Sequence, residues 1–322
     1  MTTTFSNLNV KAALNAIESD MATLPEKIEM LIEMAAGLQK KPKNLQQLED
    51  AVFLYRRGLE LCPADYPILK ARCLSGMATA LRTIPSEKAD LLLESKTAYE
   101  TALPILEEHA SPEEVAEAQM NLGVVMQALV PFHEGTMQEA IQAYQKAVRV
   151  FDGQSYPQEY AILQNNIAIA YLSMPLSPEG EKMRQAMAVQ SFEAALKWVT
   201  LIDHPSEYAM LQNNLANALQ YLPSTHPVEN NLKALAAYDE ALKVRTFQDT
   251  PIEYANTISN KANVLFNLPD DVEHPDRGNH NNLMQAKIYY QEAYQIFSQY
   301  EQWERAEVVE QALYEIEREL EG

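Results

Sequence analysis

The chain has 322 residues, of which 9 are glycine, and a formal net charge of −20. Scarce glycine disfavours a turn-rich sheet protein and glycine-rich phosphate loops, and the acidic balance lacks the basic face that nucleic acid or an anionic membrane surface requires. Two cysteines, Cys62 and Cys73, are too few for a disulfide framework or a zinc site.

From the first residue on, helix formers dominate. Residues 1–21 carry no basic start followed by an apolar run, so they do not read as a signal peptide, and residues 7–20 are expected to form a short N-terminal cap. No stretch approaches the roughly 20 apolar residues of a membrane span. A soluble, cytoplasmic protein is the expectation.

A repeating unit then takes over. Pro25-Glu26 opens the first copy, and a faint second begins at Pro63 with Asp65 and Tyr66. The third begins at Pro112 and carries Gln119, Asn121 and Gly123. Three further copies are nearly verbatim: Pro157-Gln-Glu-Tyr-Ala-Ile-Leu-Gln-Asn-Asn, Pro205-Ser-Glu-Tyr-Ala-Met-Leu-Gln-Asn-Asn and Pro251-Ile-Glu-Tyr-Ala-Asn-Thr-Ile-Ser-Asn. Starts about 38 to 49 residues apart lie in the range of helical-hairpin arrays.

A second phrase follows each start. A small residue precedes an aromatic by four and another small residue follows by three: Ala51/Tyr55/Gly58, Ser95/Tyr99/Ala102, Ala140/Tyr144/Ala147, Ala188/Phe192/Ala195, Ala234/Tyr238/Ala241 and Ala286/Tyr290/Ala293. Those spacings put all three side chains on one helical face. The first phrase carries large-small-x-x-large, as in Leu122-Gly123…Met126, Ile167-Ala168…Tyr171 and Leu215-Ala216…Leu219; Lys261-Ala262…Leu265 keeps only the small residue and the last apolar one. Each unit reads as helix A, loop, helix B.

Together these two phrases resemble the tetratricopeptide repeat (TPR), over about residues 22–300, in a variety similar to one common in bacterial, notably cyanobacterial, proteins. The resemblance implies an all-α fold, a right-handed α-α superhelix or TPR solenoid of about six helical hairpins with terminal capping helices. Gln119, Gln164 and Gln212 depart from the family by standing where an aromatic is common. The loops at residues 174–182 and 269–281 read as longer than usual. Asn44-Leu45, Asn231-Leu232 and Asn282-Leu283 are expected to open B helices through an Asn cap. Pro157, Pro205 and Pro251 suit a helix's first turn, and the glutamate two residues later suits the positive end of its dipole. In residues 301–322, Trp303, Ala306, Val309, Leu313, Ile316 and Leu320 are expected to share a face opposite an acidic one, as a terminal capping helix requires.

The resemblance places helix A on a concave groove. Asn165, Met210, Asn213, Asn217, Tyr221, Asn256, Asn263 and Phe266 are thereby expected to contact a partner. Asn213, Asn217, Asn256 and Asn263 form a candidate amide ladder for an extended peptide, since each amide both donates and accepts. Some TPR proteins hold a chaperone's C-terminal carboxylate between Lys and Arg residues. No such cation is seen on the expected groove face, and Lys261 is expected to face a neighbouring helix.

Residues 270–281 contain Asp270, Asp271, His274 and His280, but no cation-loop spacing, and read as a solvated insertion. The histidines have no recurrent Ser or Cys partner, and Glu159, Glu207 and Glu253 recur once per unit, which suits structure better than catalysis. The expected function is non-enzymatic and without cofactor: a scaffold, adaptor or assembly chaperone binding a protein or peptide. A regulatory solenoid sensing a peptide or small ligand is the alternative.

Overall fold

The computed structural model describes residue 10 and residues 22–174, 178–222 and 226–321. The N-terminal cap expected within residues 1–21 lies outside them, save Val10, which is buried. Among the described residues the secondary structure is helical. The helices are α1 (Leu24–Lys40), α2 (Leu45–Leu61), α3 (Pro67–Thr83), α4 (Asp90–His109), α5 (Pro112–Leu129) and α6 (Met137–Val148), followed by α7 (Pro157–Ser173), α8 (Pro178–Ala195), α9 (Pro205–Gln220), α10 (Pro227–Leu242), α11 (Pro251–Phe266), α12 (His280–Gln299) and α13 (Trp303–Glu321). The chain divides into two compact units, Met1–Phe151 and Asp152–Gly322. The first holds the hairpins α1/α2, α3/α4 and α5/α6. The second holds α7/α8, α9/α10 and α11/α12, with α13 packed on α12. This is the all-α hairpin repeat expected of a tetratricopeptide-type array.

Local chemistry sets where helix A begins. The residues before Pro67, Pro157, Pro205 and Pro251 are Tyr66, Tyr156, His204 and Thr250, and all have ψ of 61 or 62°. Proline's ring bars the preceding residue from the helical region, while its own fixed φ suits a first turn whose N–H would be unpaired anyway. The turn ahead of it is also repeated. Thr200 and Thr246 each donate a hydroxyl to Asp203 and Asp249 at 2.8 Å, and each accepts that aspartate's backbone N–H at 3.1 Å. The recurring tyrosine then ties the hairpin: Tyr208 of α9 donates to Glu240 of α10, and Tyr254 of α11 to Glu292 of α12, both at 3.0 Å.

Four boundaries differ from the sequence reading. The second A helix starts at Pro67, not Pro63, because Tyr66-Pro67 is the same non-helical step into proline, with ψ near 61°, that the later units share. Helix α8 starts at Pro178, which shortens the loop expected over residues 174–182. Asn231 lies inside α10, which opens at Pro227. Asn282 lies inside α12, and its side chain donates instead to the carbonyls of Leu268 and Pro269 at 3.0 Å. Only Asn44 caps as expected, accepting the N–H of Gln47 at 3.1 Å.

The small-aromatic-small faces form the core. Tyr55, Tyr99, Tyr144, Phe192 and Tyr238 are at most 1 % exposed. Small residues on the opposing helix make room for the rings. A Cβ built on Gly123 would come within 2.5 Å of the Tyr144 ring, and one on Gly76 within 2.3 Å of Tyr55. Helix α13 inserts Ala306, Val309 and Ile316 into the cluster containing Leu283, Tyr290 and Phe297, which leaves its other face to water; Trp303, expected on the packed face, is instead 64 % exposed at the first position of the helix.

Candidate functional site

The buried aromatics of the B helices place much of what helix A displays. A buried tyrosine ring carries a hydroxyl that needs a partner once it leaves water. For Tyr99, Tyr144 and Tyr238, helix A of the same hairpin supplies it. Tyr99 meets the Thr79 hydroxyl at 2.6 Å, Tyr144 donates to Gln127 at 3.1 Å, and Tyr238 donates to Asn217 at 2.5 Å. Burial, the largest cause, pushes the Tyr99 hydroxyl up to about 12, with Thr79 acting in the opposite direction. Where helix B carries Phe192 and has no hydroxyl to satisfy, the residue in the register of Asn217 is Ile169.

Beneath this layer, amides run between neighbouring A helices of the second unit. Asn214 of α9 donates to Asn165 of α7 at 2.7 Å, and Asn213 donates to Asn214 at 3.0 Å. Thr257 of α11 donates to Asn213 at 3.1 Å, and Arg245 donates to Thr257 at 2.9 Å. Arg245 and Thr257 occupy the registers held one unit earlier by Val199 and Leu211, which are core residues. Two apolar positions have thus become polar together. Burial lowers the Arg245 pKa, with Glu253 opposing it.

This arrangement departs from the expected peptide-facing ladder. Asn165 and Asn213 are each only 6 % exposed, and both are engaged by neighbouring helices. Asn217 and Asn263 are half-buried. The oxygen of Asn217 is taken by Tyr238, while the Asn263 amide donates to Gln220 at 2.9 Å and to the Tyr221 hydroxyl at 3.3 Å. Asn256 is half-buried, and Met210 and Phe266 are partly buried against the two cores. Tyr221 is 64 % exposed at the end of α9. The residues brought together at the surface are therefore Tyr221, Asn263, Gln220 and Asn217. The carbonyl of Phe266, at the end of α11, accepts from the Asn279 side chain at 2.9 Å.

Two arginines on helix A were overlooked in the sequence. Arg72, Ser75, Thr79 and Arg82 follow one another along one face of α3, and the first three line a cavity of about 220 Å³ between α1, α3, α4 and α5. The expectation of no cation on such a face is thus corrected within the first unit. The stripe falls into register with the later A helices only when this helix begins at Pro67. Arg72 is neutralised by two bonds to Glu114, at 2.8 and 3.0 Å. Arg82 reaches Asn121 at 3.5 Å and forms no ion pair among the described residues. Lys261 behaves as expected: it pairs with Asp239 at 2.5 Å and sits 5.2 Å from the centre of the Tyr289 ring.

The acidic loop is used internally. Asp270 accepts the backbone N–H groups of Asn281 and Asn282 at 2.8 Å and so caps α12. Asp271 accepts from Arg277 at 3.1 Å and lies 2.9 Å from the His274 ring nitrogen. Among the described residues no group of three or more His, Cys, Asp or Glu is arranged to hold a metal ion, and no helix is long and apolar enough to cross a membrane.

No family model matches the chain, and no curated protein is similar to it in sequence. Among solved structures, it is similar to BtubC (BKLC) from P. vanneervenii at 20% identity and a TM-score of 0.50, over 73% of this chain and 86% of that one. It also resembles YrrB, described as a TPR protein with an unusual peptide-binding site, at 20% identity and a TM-score of 0.43, over 73% and 93% of the two chains. A Rap protein complexed with Competence and Sporulation Factor matches at 14% identity and a TM-score of 0.45, over 95% and 79%. The likeness to BtubC agrees with the helical fold seen here.

Proposed function

We propose that the protein is a non-catalytic interaction scaffold that holds an extended segment of a partner protein on the helix-A face of residues 152–322. The observation that carries this reading is Tyr221, an aromatic left 64 % exposed beside the amides of Asn263 and Gln220. An exposed ring flanked by groups that both donate and accept suits peptide backbone and an apolar side chain together. In this reading Tyr221, Asn256, Asn263, Met210 and Phe266 touch the partner. Asn217 contributes its free N–H₂ group, and Asn165 and Asn213 hold the A helices in register from below. The adaptor or assembly-chaperone role in the cytoplasm is the finer form of the same proposal.

The test is affinity capture from native cytosol followed by titration of the identified segment against purified variants. Asn217→Ala is a poor probe, because it orphans the Tyr238 hydroxyl. Tyr221→Ala and Asn256→Ala leave the buried network intact. The expected outcome is loss of at least tenfold in affinity with an unchanged melting temperature. Unaltered affinity in the double variant would place binding elsewhere.

A further inference from the structure

Within the first unit, a cavity of about 310 Å³ lies where α4, α5 and α6 meet. Leu103, Leu122 and Met126 give it an apolar floor. The polar groups around that floor are mostly acceptors. Gln119 lines the cavity at 4 % exposure, and its amide oxygen receives no hydrogen bond among the described residues. An unpaired buried acceptor costs free energy until a donor meets it.

A second acceptor comes from the backbone. Pro104 lies inside α4 and also lines the cavity. Having no N–H, it cannot bond the carbonyl of Glu100 one turn earlier. Glu100, Pro104 and Glu107 fall on one face of the helix, so two carboxylates flank that point. Neither is in an ion pair among the described residues. Glu139, on the opposite wall, is already committed to the backbone and hydroxyl of Thr136, at 2.9 and 2.8 Å. Lys146 is the one cation in the lining, against three carboxylates.

Surplus negative charge, surplus acceptors and an apolar floor call for a cationic group rich in N–H donors on an aliphatic stem. A guanidinium offers five donors in a planar fork, and its methylenes can lie on the floor. We propose that this cavity binds an arginine side chain of a partner polypeptide, with Glu107 and Glu100 meeting the charge and Gln119 accepting from within. The cavity belongs to the first unit, and neither proposal depends on the other.

The experiment uses the full chain with methyl-labelled Leu and Met, titrated at physiological salt with a Gly/Ser nonapeptide carrying one central arginine. A matched peptide carries citrulline, which keeps the shape and loses the charge. The arginine peptide is expected to shift the methyl signals of Leu103, Leu122 and Met126, and the citrulline peptide to leave them in place. Glu100→Gln with Glu107→Gln is expected to weaken binding at least tenfold. Glu307→Gln with Glu310→Gln, the same charge change on exposed positions of α13, is expected to leave it within twofold. Equal weakening by both pairs would reduce the effect to general attraction by an acidic protein. Equal binding of citrulline, or of free arginine, would also overturn the proposal.

Discussion

At the residue scale, three hairpins set a polar side chain of helix A against the ring hydroxyl of helix B, although Val124 stands in the register of Asn217 and the Tyr144 hydroxyl is met one turn later by Gln127. Asn217 stands with Tyr238, Thr79 with Tyr99, and Ile169 occupies the same register where the ring is Phe192. The asparagines look like a ladder in the sequence because they recur at one spacing, but Asn217 serves a ring hydroxyl, Asn213 links neighbouring A helices and Asn263 meets Gln220 and Tyr221. The spacing was legible. The direction of each amide was not, since a side chain's partner across a hairpin has no signature along the chain. Tyr238→Phe is expected to cost about 0.5–1.5 kcal/mol, the net worth of an ordinary hydrogen bond. Adding Asn217→Ile, which reproduces the Ile169–Phe192 pair, is expected to recover most of it. Denaturant titrations arranged as a double-mutant cycle check this, and additive losses would show that the pair is not coupled.

At the element scale, helix starts depend on which group reaches the first turn. Asn282 was expected to cap its own helix, as Asn44 does. In the structure Asp270, across the loop, takes that role. Burial works to raise the Asp270 pKa, but the bonds from Asn281 and Asn282 together outweigh it and hold the carboxyl below its usual range. A depressed carboxylate stabilises the fold fully above its unfolded value, about 3.9. That contribution disappears as pH falls through the lower folded value. Asp270→Ala is expected to cost about 0.5–2 kcal/mol at neutral pH, in line with lost N-caps. The difference from the parent should shrink as pH falls through the folded value, and a gap that does not change with pH at all would mean that the cap is not electrostatic. The buried tyrosines have the opposite sensitivity. Burial is the main cause raising Tyr55, Tyr99, Tyr144, Tyr238 and Tyr290 above the ordinary phenol value. Their folded values exceed their unfolded ones, so this stability is complete below about pH 10 and is lost as pH rises beyond it. Melting temperature should therefore fall steeply above that pH, and a flat profile would mean the rings are not buried in solution.

At the scale of the whole molecule, charge is the dominant surplus. A chain with 45 acidic and 25 basic residues repels itself when compact. Salt screens that repulsion over about 10 Å at 0.1 M. Raising sodium chloride from about 0.05 to about 0.5 M is expected to raise the melting temperature by several degrees. A fall would point instead to ion pairs such as Arg72–Glu114 as the larger electrostatic contribution.

The sequence by itself determined the repeat, the hairpin pairing and the core. Period and spacing alone decide which side chains share a helical face, and a proline decides where a first turn can begin. Tertiary structure decided which amides are spent. Asn165 and Asn213 became links between A helices once Asn214, Thr257 and Arg245 were brought beside them from other units. It also decided where acceptors collect, because Gln119 and Glu100 come to line one cavity only when α4 and α5 pack. Hydrogen-bond partners and cavities depend on distances across helices. Those distances are set by how rings such as Tyr144 seat over Gly123, not by order along the chain.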